Sequence, residues 1–225
     1  MLVAAFLPHP PALVPGLTGG PVAELEPLRR ATAAALEWLL SVAPQRICLL
    51  GGGPVERVFD GTARGTMGGY GVPVSVGSGG GDRLPLSLTV GWGLLDAAGY
   101  AGDRVAVALP SNVTDGRLDE LARTVDGDAL LVMGDGSARR DHDAPGLQHS
   151  EGRRYDHAVA AALASGDAGA LAGLDPGLEQ AVQAAGVPAW RLAGRVFGGR
   201  PVHAVLAEHT APFGVGYFLA TWSAR

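Results

Sequence analysis

The sequence predicts an α/β sandwich in which helices pack on both faces of a central sheet. Short apolar runs that stop at glycine or proline alternate along the chain with longer segments of helical periodicity. Such runs are typical of buried strands, and their alternation with helices is typical of a layered α/β domain. The chain has 225 residues, 47% of them hydrophobic and 17% charged, which is enough for one domain, 1–225, with a sizeable core.

The pattern places each element in order. The predicted strands are 2–7, 46–50, 104–109, 129–133, 202–208 and 214–221. The predicted helices are 85–99, 115–125, 151–164, 168–174 and 177–185, preceded by one that begins at about Pro21 or Pro27 and ends at Val42. The last two strands are close enough in sequence to pair as a hairpin. Residues 60–83 are dense in glycine and are expected to form a long mobile excursion, with a short strand at 72–76.

Composition excludes several function classes. The chain has no lysine, so a Walker-type phosphate lysine and a Schiff-base lysine are both absent. A net charge of −5 and a pI near 5.6 argue against nucleic acid and anionic membranes as partners. Cys48 is the only cysteine, which leaves neither a disulfide framework nor a thiolate metal site. Without a secretory signal or a membrane-spanning stretch, a cytoplasmic protein is expected.

The first predicted strand ends at a histidine that is held between prolines. Pro8 and Pro10 fix their own φ and favour extended geometry in the residue before each of them, so His9 occupies a stiff tip. In open α/β sheets, ligands bind at the carboxyl ends of the strands. A lone histidine is more often structural than functional, so the role of His9 depends on its partners.

Two glycine turns after strands suggest familiar motifs but do not match them. The run Gly51–Gly53 lacks the third glycine of a dinucleotide fingerprint, because Glu56 occupies that position. Ser137 lies on a turn like a nucleophile elbow, yet Asp135 and Arg139 replace the required glycines. A turn serine and an ordinary strand-end loop are therefore favoured.

The polar loop after the fourth long strand offers two further candidates. Asp141, His142 and Asp143 carry metal-ligand atoms, but three adjacent residues rarely converge on one ion, so a solvated loop is favoured. Four arginines flank this loop, namely Arg139, Arg140, Arg153 and Arg154. They could clamp a carboxylate or phosphate, or they could pair with neighbouring acidic residues, and the sequence leaves both open.

Three motifs in this order carry a family resemblance: Leu7-Pro8-His9-Pro10-Pro11, Gly-Asp-Gly-Ser-Ala-Arg at 134–139, and Ala-Pro-Phe-Gly-Val-Gly-Tyr at 211–217. Together they resemble the class III extradiol ring-cleavage dioxygenases, and more narrowly the subunit-B-like branch that includes the Memo proteins. The resemblance covers nearly the whole chain and implies a mixed sheet with the active site at strand ends. Active members bind Fe(II) through two histidines and a glutamate, while a further histidine serves as acid and base.

The resemblance assigns a position in this chain to each of those four groups. His9 matches the first histidine ligand. Gly52 stands where the second histidine is expected, Ala138 where the acid/base histidine is expected, and Thr210 where the glutamate is expected. Because glycine and alanine offer no ligand atom and threonine only a weak one, the iron site is depleted.

Glu208 and His209 are the nearest replacements, and successive strand residues face opposite sides, so at most one shares a pocket with His9. Glu208 shares the face of Thr210 but lies about 7 Å away along an extended strand, which is too far without a bulge or register change.

Two hypotheses of function follow, and a third is structural. In the first, the chain has lost iron and binds a small acidic or aromatic molecule, or a partner, through a pocket that includes His9, Ser137 and Arg139. In the alternative, it remains a metal-dependent dioxygenase or other oxidoreductase on a catechol-like substrate, using His9 with Glu208 or His209. The third hypothesis is an interaction protein whose glycine-rich excursion binds the partner; a homo-oligomer is compatible with each.

Overall fold

The computed structural model describes residues 1–77, 79–125, 129–141 and 144–225. It confirms the α/β prediction, with a central seven-stranded mixed sheet and helices on both faces. The strands are β1 Leu2–Leu7, β2 Arg46–Gly52, β3 Arg57–Phe59, β4 Gly65–Thr66, β5 Ser75–Val76, β6 Asp103–Leu109, β7 Ala129–Met133, β8 Val202–Thr210 and β9 Tyr217–Ala224. The helices are α1 Glu26–Ser41, α2 Leu86–Ala97, α3 Asp115–Thr124, α4 Gly152–Ser165, α5 Ala168–Ala172, α6 Pro176–Val182 and α7 Val187–Phe197.

The order of the strands brings several strand ends to one edge of the sheet. The main sheet runs β3-β6-β2-β7-β1-β9-β8. Strands β6, β2, β7 and β1 are parallel, so their carboxyl ends share an edge. Strand β9 is antiparallel to β1, and β8 pairs with β9 as the predicted hairpin. The end of β8 and the start of β9 therefore reach the same edge as the residue after β1.

Alternation along the central strands divides the core into two clusters. In β1, Ala5 and Leu7 face the layer of α1 and α2. Ala4 and Phe6 face the layer of α3 to α7. Because both faces of the sheet are covered, the central strands are apolar throughout, as the sequence indicated.

The glycine-rich segment 60–83 carries structure of its own, and Ser78 within it lies outside the described residues. Strands β4 and β5 form a small antiparallel pair in it. Ala63 and Met67 are buried in the core cluster beneath α1 and α2. Gly65 lies so close to Thr89 of α2 that a side chain there would collide with it. The segment is thus packed against the domain, rather than forming the free excursion that the composition suggested.

Helix α7 is the one long element that the sequence pattern did not indicate. Gly186, Pro188 and Gly194 look like helix breakers, yet Pro188 lies in the first turn, where proline is tolerated. Gly194 lies against the backbone of α5, with a would-be Cβ 2.5 Å from the carbonyl oxygen of Ala168. The glycine therefore allows close packing of α5 and α7 instead of ending the helix. None of the described helices is long and apolar enough to cross a bilayer.

Candidate functional site

A cleft of about 400 Å³ opens at the carboxyl edge of the sheet, beside the ends of β1, β2 and β6. It brings together two residues that the sequence singled out, His9 and Gly52, and adds Glu179 from α6. Apolar side chains make up much of the remaining wall, namely those of Pro54, Pro85, Leu86, Leu109, Ala185 and Pro188. A concave, largely apolar site with a few polar groups is typical of small-molecule binding.

His9 is held in place by the residue that follows β7. Its backbone N–H donates to Asp135 Oδ1 at 2.8 Å, and its Nδ1 lies 3.6 Å from the same oxygen. His9 is only 7% exposed, and Nδ1 has no hydrogen-bond partner. Burial raises the pKa of the Asp135 carboxyl, while the nearby His9 opposes that shift. The carboxyl group beside Nδ1 favours the tautomer with its proton there, which leaves Nε2 as an acceptor.

Glu179 is the candidate site residue that sequence reasoning missed. It is only 4% exposed, and its Oε2 has no hydrogen-bond partner. Burial raises the pKa of Glu179 to about 7, and Arg191 opposes the shift. In the sequence it lies in the first turn of a short helix after Asp175, where acidic residues are common, so no pattern distinguished it. A buried, unpartnered carboxyl group in the wall of a cleft is a candidate for ligand binding.

The three glycines at the end of β2, 51–53, differ in the space around them. A Cβ at Gly51 would lie 2.5 Å from Ser87 Oγ, and one at Gly53 would lie 2.9 Å from the Ala108 side chain. At Gly52 the nearest atom would be the carbonyl oxygen of Ala185, at 3.6 Å. Position 52 could thus hold a side chain, and its absence enlarges the cleft where the resemblance expects a histidine.

Ser137 is a turn residue whose hydroxyl group is fully engaged. Its Oγ donates to the Val182 carbonyl oxygen and accepts from the Arg139 N–H, both at 3.0 Å. The residue is completely buried. It is therefore not placed to act as a nucleophile, and Ala138 beside it offers no acid or base.

A buried carboxylate organises the loop around Ser137. Asp156 of α4 accepts from the Ser137 N–H at 2.8 Å and from Arg140 Nη1 at 3.2 Å. Its carboxylate lies against Gly136 and Gly216, where a Cβ on either glycine would collide with it. Burial raises the pKa of Asp156 to about 6 despite these two donors. This carboxylate joins the loop after β7 to the turn before β9.

Arg139 and Arg140 are both engaged within the protein. Arg139 donates to the carbonyl oxygens of Leu147 and Ala181. Arg140 lies between Asp156 and Asp141, with its Nη1 also 3.4 Å from His209 Nε2. Neither guanidinium group lines the His9 cleft.

The remaining two arginines pair with acidic neighbours. Arg153 pairs with Asp141, and Arg154 pairs with Glu151 at 3.4 Å. Of the three adjacent residues with metal-ligand atoms, only Asp141 lies among the described residues, because His142 and Asp143 fall outside them. The described contacts favour the ion-paired edge over a ligand clamp.

The end of β8 places Glu208, His209 and Thr210 away from the cleft wall. Their register partners are Leu219, Phe218 and Tyr217 in turn, so Glu208 and Thr210 share one face and His209 lies on the other. A β-bulge does occur, between Leu206 and Glu208, but it precedes Glu208 and leaves its offset of about 7 Å from Thr210 unchanged.

His209 makes contacts of its own on the opposite face of β8. Its ring stacks on Phe218 with centroids 4.9 Å apart and meets His157 edge-on at 5.7 Å. Burial lowers the pKa of His209, and the charge of Arg140 adds to that effect. These contacts give His209 a packing role.

The Fe(II) that the resemblance implies does not fit the residues present. Among the residues that the structure describes, no group of three or more His, Cys, Asp or Glu could hold a metal ion. A non-haem iron site needs three protein ligands with open positions for substrate and oxygen. His9 supplies one ligand, and neither Gly52 nor Thr210 completes the set.

Comparison with known proteins adds information on the fold only. No family model matches the sequence, and no curated protein matches it. Among solved structures, the chain is similar to an uncharacterised protein of Escherichia coli K12, JW3007. The match covers 99% of each chain with a TM-score of 0.51 and 12% sequence identity. At that identity, the similarity shows that the two chains share a fold.

Proposed function

We propose that this chain is an iron-free relative of the class III extradiol dioxygenases that binds a small organic molecule in the cleft around His9. One observation carries the proposal. Glu179 Oε2 is buried without a hydrogen-bond partner, and Glu179 lines the same cleft as His9. Buried polar atoms in proteins are nearly always paired, so an unpaired carboxylate oxygen in a residue of the cleft wall points to a missing ligand or water. A cytoplasmic location is part of this proposal.

The alternative, a catechol dioxygenase that uses His9 with Glu208 or His209, has less support. Neither residue lines the cleft, and the ring of His209 packs against Phe218. A metal held by His9 alone would lack the three ligands that this chemistry needs.

A larger groove of about 950 Å³ runs along α1 and the end of α2, but it is a weaker candidate. Its wall is mainly apolar, and Arg29 at its rim is engaged with Glu26 and the carbonyl oxygen of Ala12. Thr32 in its wall has a buried hydroxyl group without a partner, but none of the described residues of this wall has a buried, unpartnered carboxylate like that of Glu179.

Filling the cleft should weaken ligand binding without unfolding the protein. Catechol added without metal is expected to shift the amide resonances of Gly53 and Leu109, which line the cleft. In Gly52→Phe the ring would occupy the cleft, since no atom lies within 3.6 Å of a Cβ there. Catechol affinity should fall at least about tenfold, or ~1.4 kcal/mol. Two-dimensional NMR titration of both proteins measures this.

Gly69→Phe is the matched control, because a Cβ at that exposed glycine meets nothing within 4 Å and the residue is not in the cleft. It should bind catechol like the wild type. Equal binding to Gly52→Phe, or shifts confined to residues outside the cleft, would refute the proposed site.

A further inference from the structure

The geometry points to a small organic amine as the ligand: its ammonium group would bind the carboxylate of Glu179, and its apolar body would pack on the cleft wall. This inference rests on the proposed function, because it names the ligand of the same cleft. It differs from the expectation of an acidic ligand, which depended on a free Arg139.

Three polar side chains of the cleft wall carry hydrogen-bond acceptors, and a fourth, Ser111, can accept or donate. Glu179 carries a carboxylate oxygen without a partner, and the tautomer described above leaves His9 Nε2 as an acceptor. Ser87 already donates its hydroxyl hydrogen to the Gly52 carbonyl oxygen at 2.7 Å, which leaves its lone pairs for a ligand. A ligand that matches three acceptors must carry several donors, as an ammonium group does.

Positive side chains are missing from the described part of this wall. The chain has no lysine, and no arginine lines the cleft. An anionic ligand would therefore enter without a cation to pair with and would meet the charge of Glu179. A cationic ligand instead compensates a buried carboxylate that has no partner within hydrogen-bond distance.

The charged and titratable groups near Glu179 do not fully compensate its negative charge, so a ligand could do so. The positive charge of Arg191 in α7 acts to lower the pKa of Glu179. The Arg191 guanidinium group, however, donates a hydrogen bond to Asp115 Oδ1 at 2.7 Å. Burial raises the pKa of the Tyr155 phenol in α4, and the charge of Glu179 adds to that effect. His9 lines the same cleft. Since Arg191 is shared with Asp115, the charge of Glu179 is only partly compensated within the protein.

The rest of the wall fits a compact apolar group. Pro54, Pro85, Leu86 and Pro188 present rigid apolar surface around the polar end. A volume of about 400 Å³ lies at the small end of the range for organic ligands. An arylalkyl amine such as benzylamine combines the charge, donors and size that the cleft presents.

Three probes with one ring and different charges test the inference: benzylamine, benzyl alcohol and benzoate. At pH 8 benzylamine should bind at least about tenfold more tightly than benzyl alcohol, and benzoate should bind most weakly. Benzylamine binds the ionised carboxylate, so its affinity should rise with pH up to about 7 and fall about tenfold per pH unit below it. NMR titrations that follow the Gly53 and Leu109 amide resonances measure the affinities of the three probes.

Glu179→Gln should remove both the preference for the amine and its pH dependence while keeping benzyl alcohol binding. Glu24→Gln makes the same chemical change at an exposed position just before α1 and should behave like the wild type. If benzyl alcohol or benzoate binds as tightly as benzylamine, or if Glu179→Gln keeps the preference, the amine inference fails and the proposed function stands. If neither these probes nor catechol perturbs the cleft, both fail.

Discussion

Glu179→Gln is expected to make the protein about 2 kcal/mol more stable at pH 8, although the change removes a buried charged residue. The pKa of Glu179 rises from 4.5 to about 7 on folding, because burial disfavours the charged form. Below about pH 4.5 the group is protonated in both states and has no effect. As the pH rises to about 7, the unfolded state loses its proton first, so the folded state becomes less stable, by about 3 kcal/mol in total. Glutamine avoids that penalty but still buries a polar amide, which reduces the gain.

Denaturant unfolding at pH 4.5 and pH 8 measures the effect. The stabilisation should be present at pH 8 and small at pH 4.5, and the exposed Glu24→Gln should change neither value by more than about 0.5 kcal/mol. A Glu179→Gln protein that is less stable than the wild type at pH 8 would show that the carboxylate has a structural partner. A gain in stability together with a loss of amine binding is the trade-off expected of a functional residue.

Gly216→Ala is expected to destabilise the protein by about 3 kcal/mol. A Cβ at this position would lie 2.9 Å from Asp156 Oδ1 and closer still to Oδ2. Asp156 cannot move away easily, because it is fully buried and is held by the Ser137 N–H and by Arg140. The new methyl group would therefore force apart the loop after β7 and the turn before β9.

Thermal or urea denaturation of Gly216→Ala and Gly20→Ala measures this cost. Gly20→Ala makes the same glycine-to-alanine change where a Cβ meets nothing within 4 Å. This control should leave the stability of the protein nearly unchanged. The combination of Gly216→Ala with Asp156→Ala should cost less than the sum of the two single changes, because the collision needs both side chains. Additive costs would show that the collision is not the cause.

Much of the fold could be predicted because its elements depend on local signals. Strand β1 ends before Pro8, and β7 is a purely apolar run, so both were placed from pattern alone. The hairpin of β8 and β9 followed from their short connection. Helix α7 was missed because Gly194 serves close packing against α5, and that contact depends on distant residues.

The candidate site was predicted in part. The position of His9 at a strand end could be predicted, since prolines define it locally. The presence of Glu179 in the same cleft could not, because α6 reaches the cleft only through tertiary packing. The role of Arg139 also depended on distant partners, since its donors bind the carbonyl oxygens of Leu147 and Ala181. The sequence specifies which groups are available, and the fold decides which of them have no partner.

The most direct test of an iron-free cleft is the iron content of the purified protein after anaerobic incubation with Fe(II) and desalting, measured beside His9→Ala. With one ligand in place of three, the wild type should retain well below one equivalent of iron, and His9→Ala should retain the same amount. One equivalent in the wild type that is lost in His9→Ala would contradict the account. It would mean that His9 has metal-binding partners and that ring-cleavage chemistry has to be tested again.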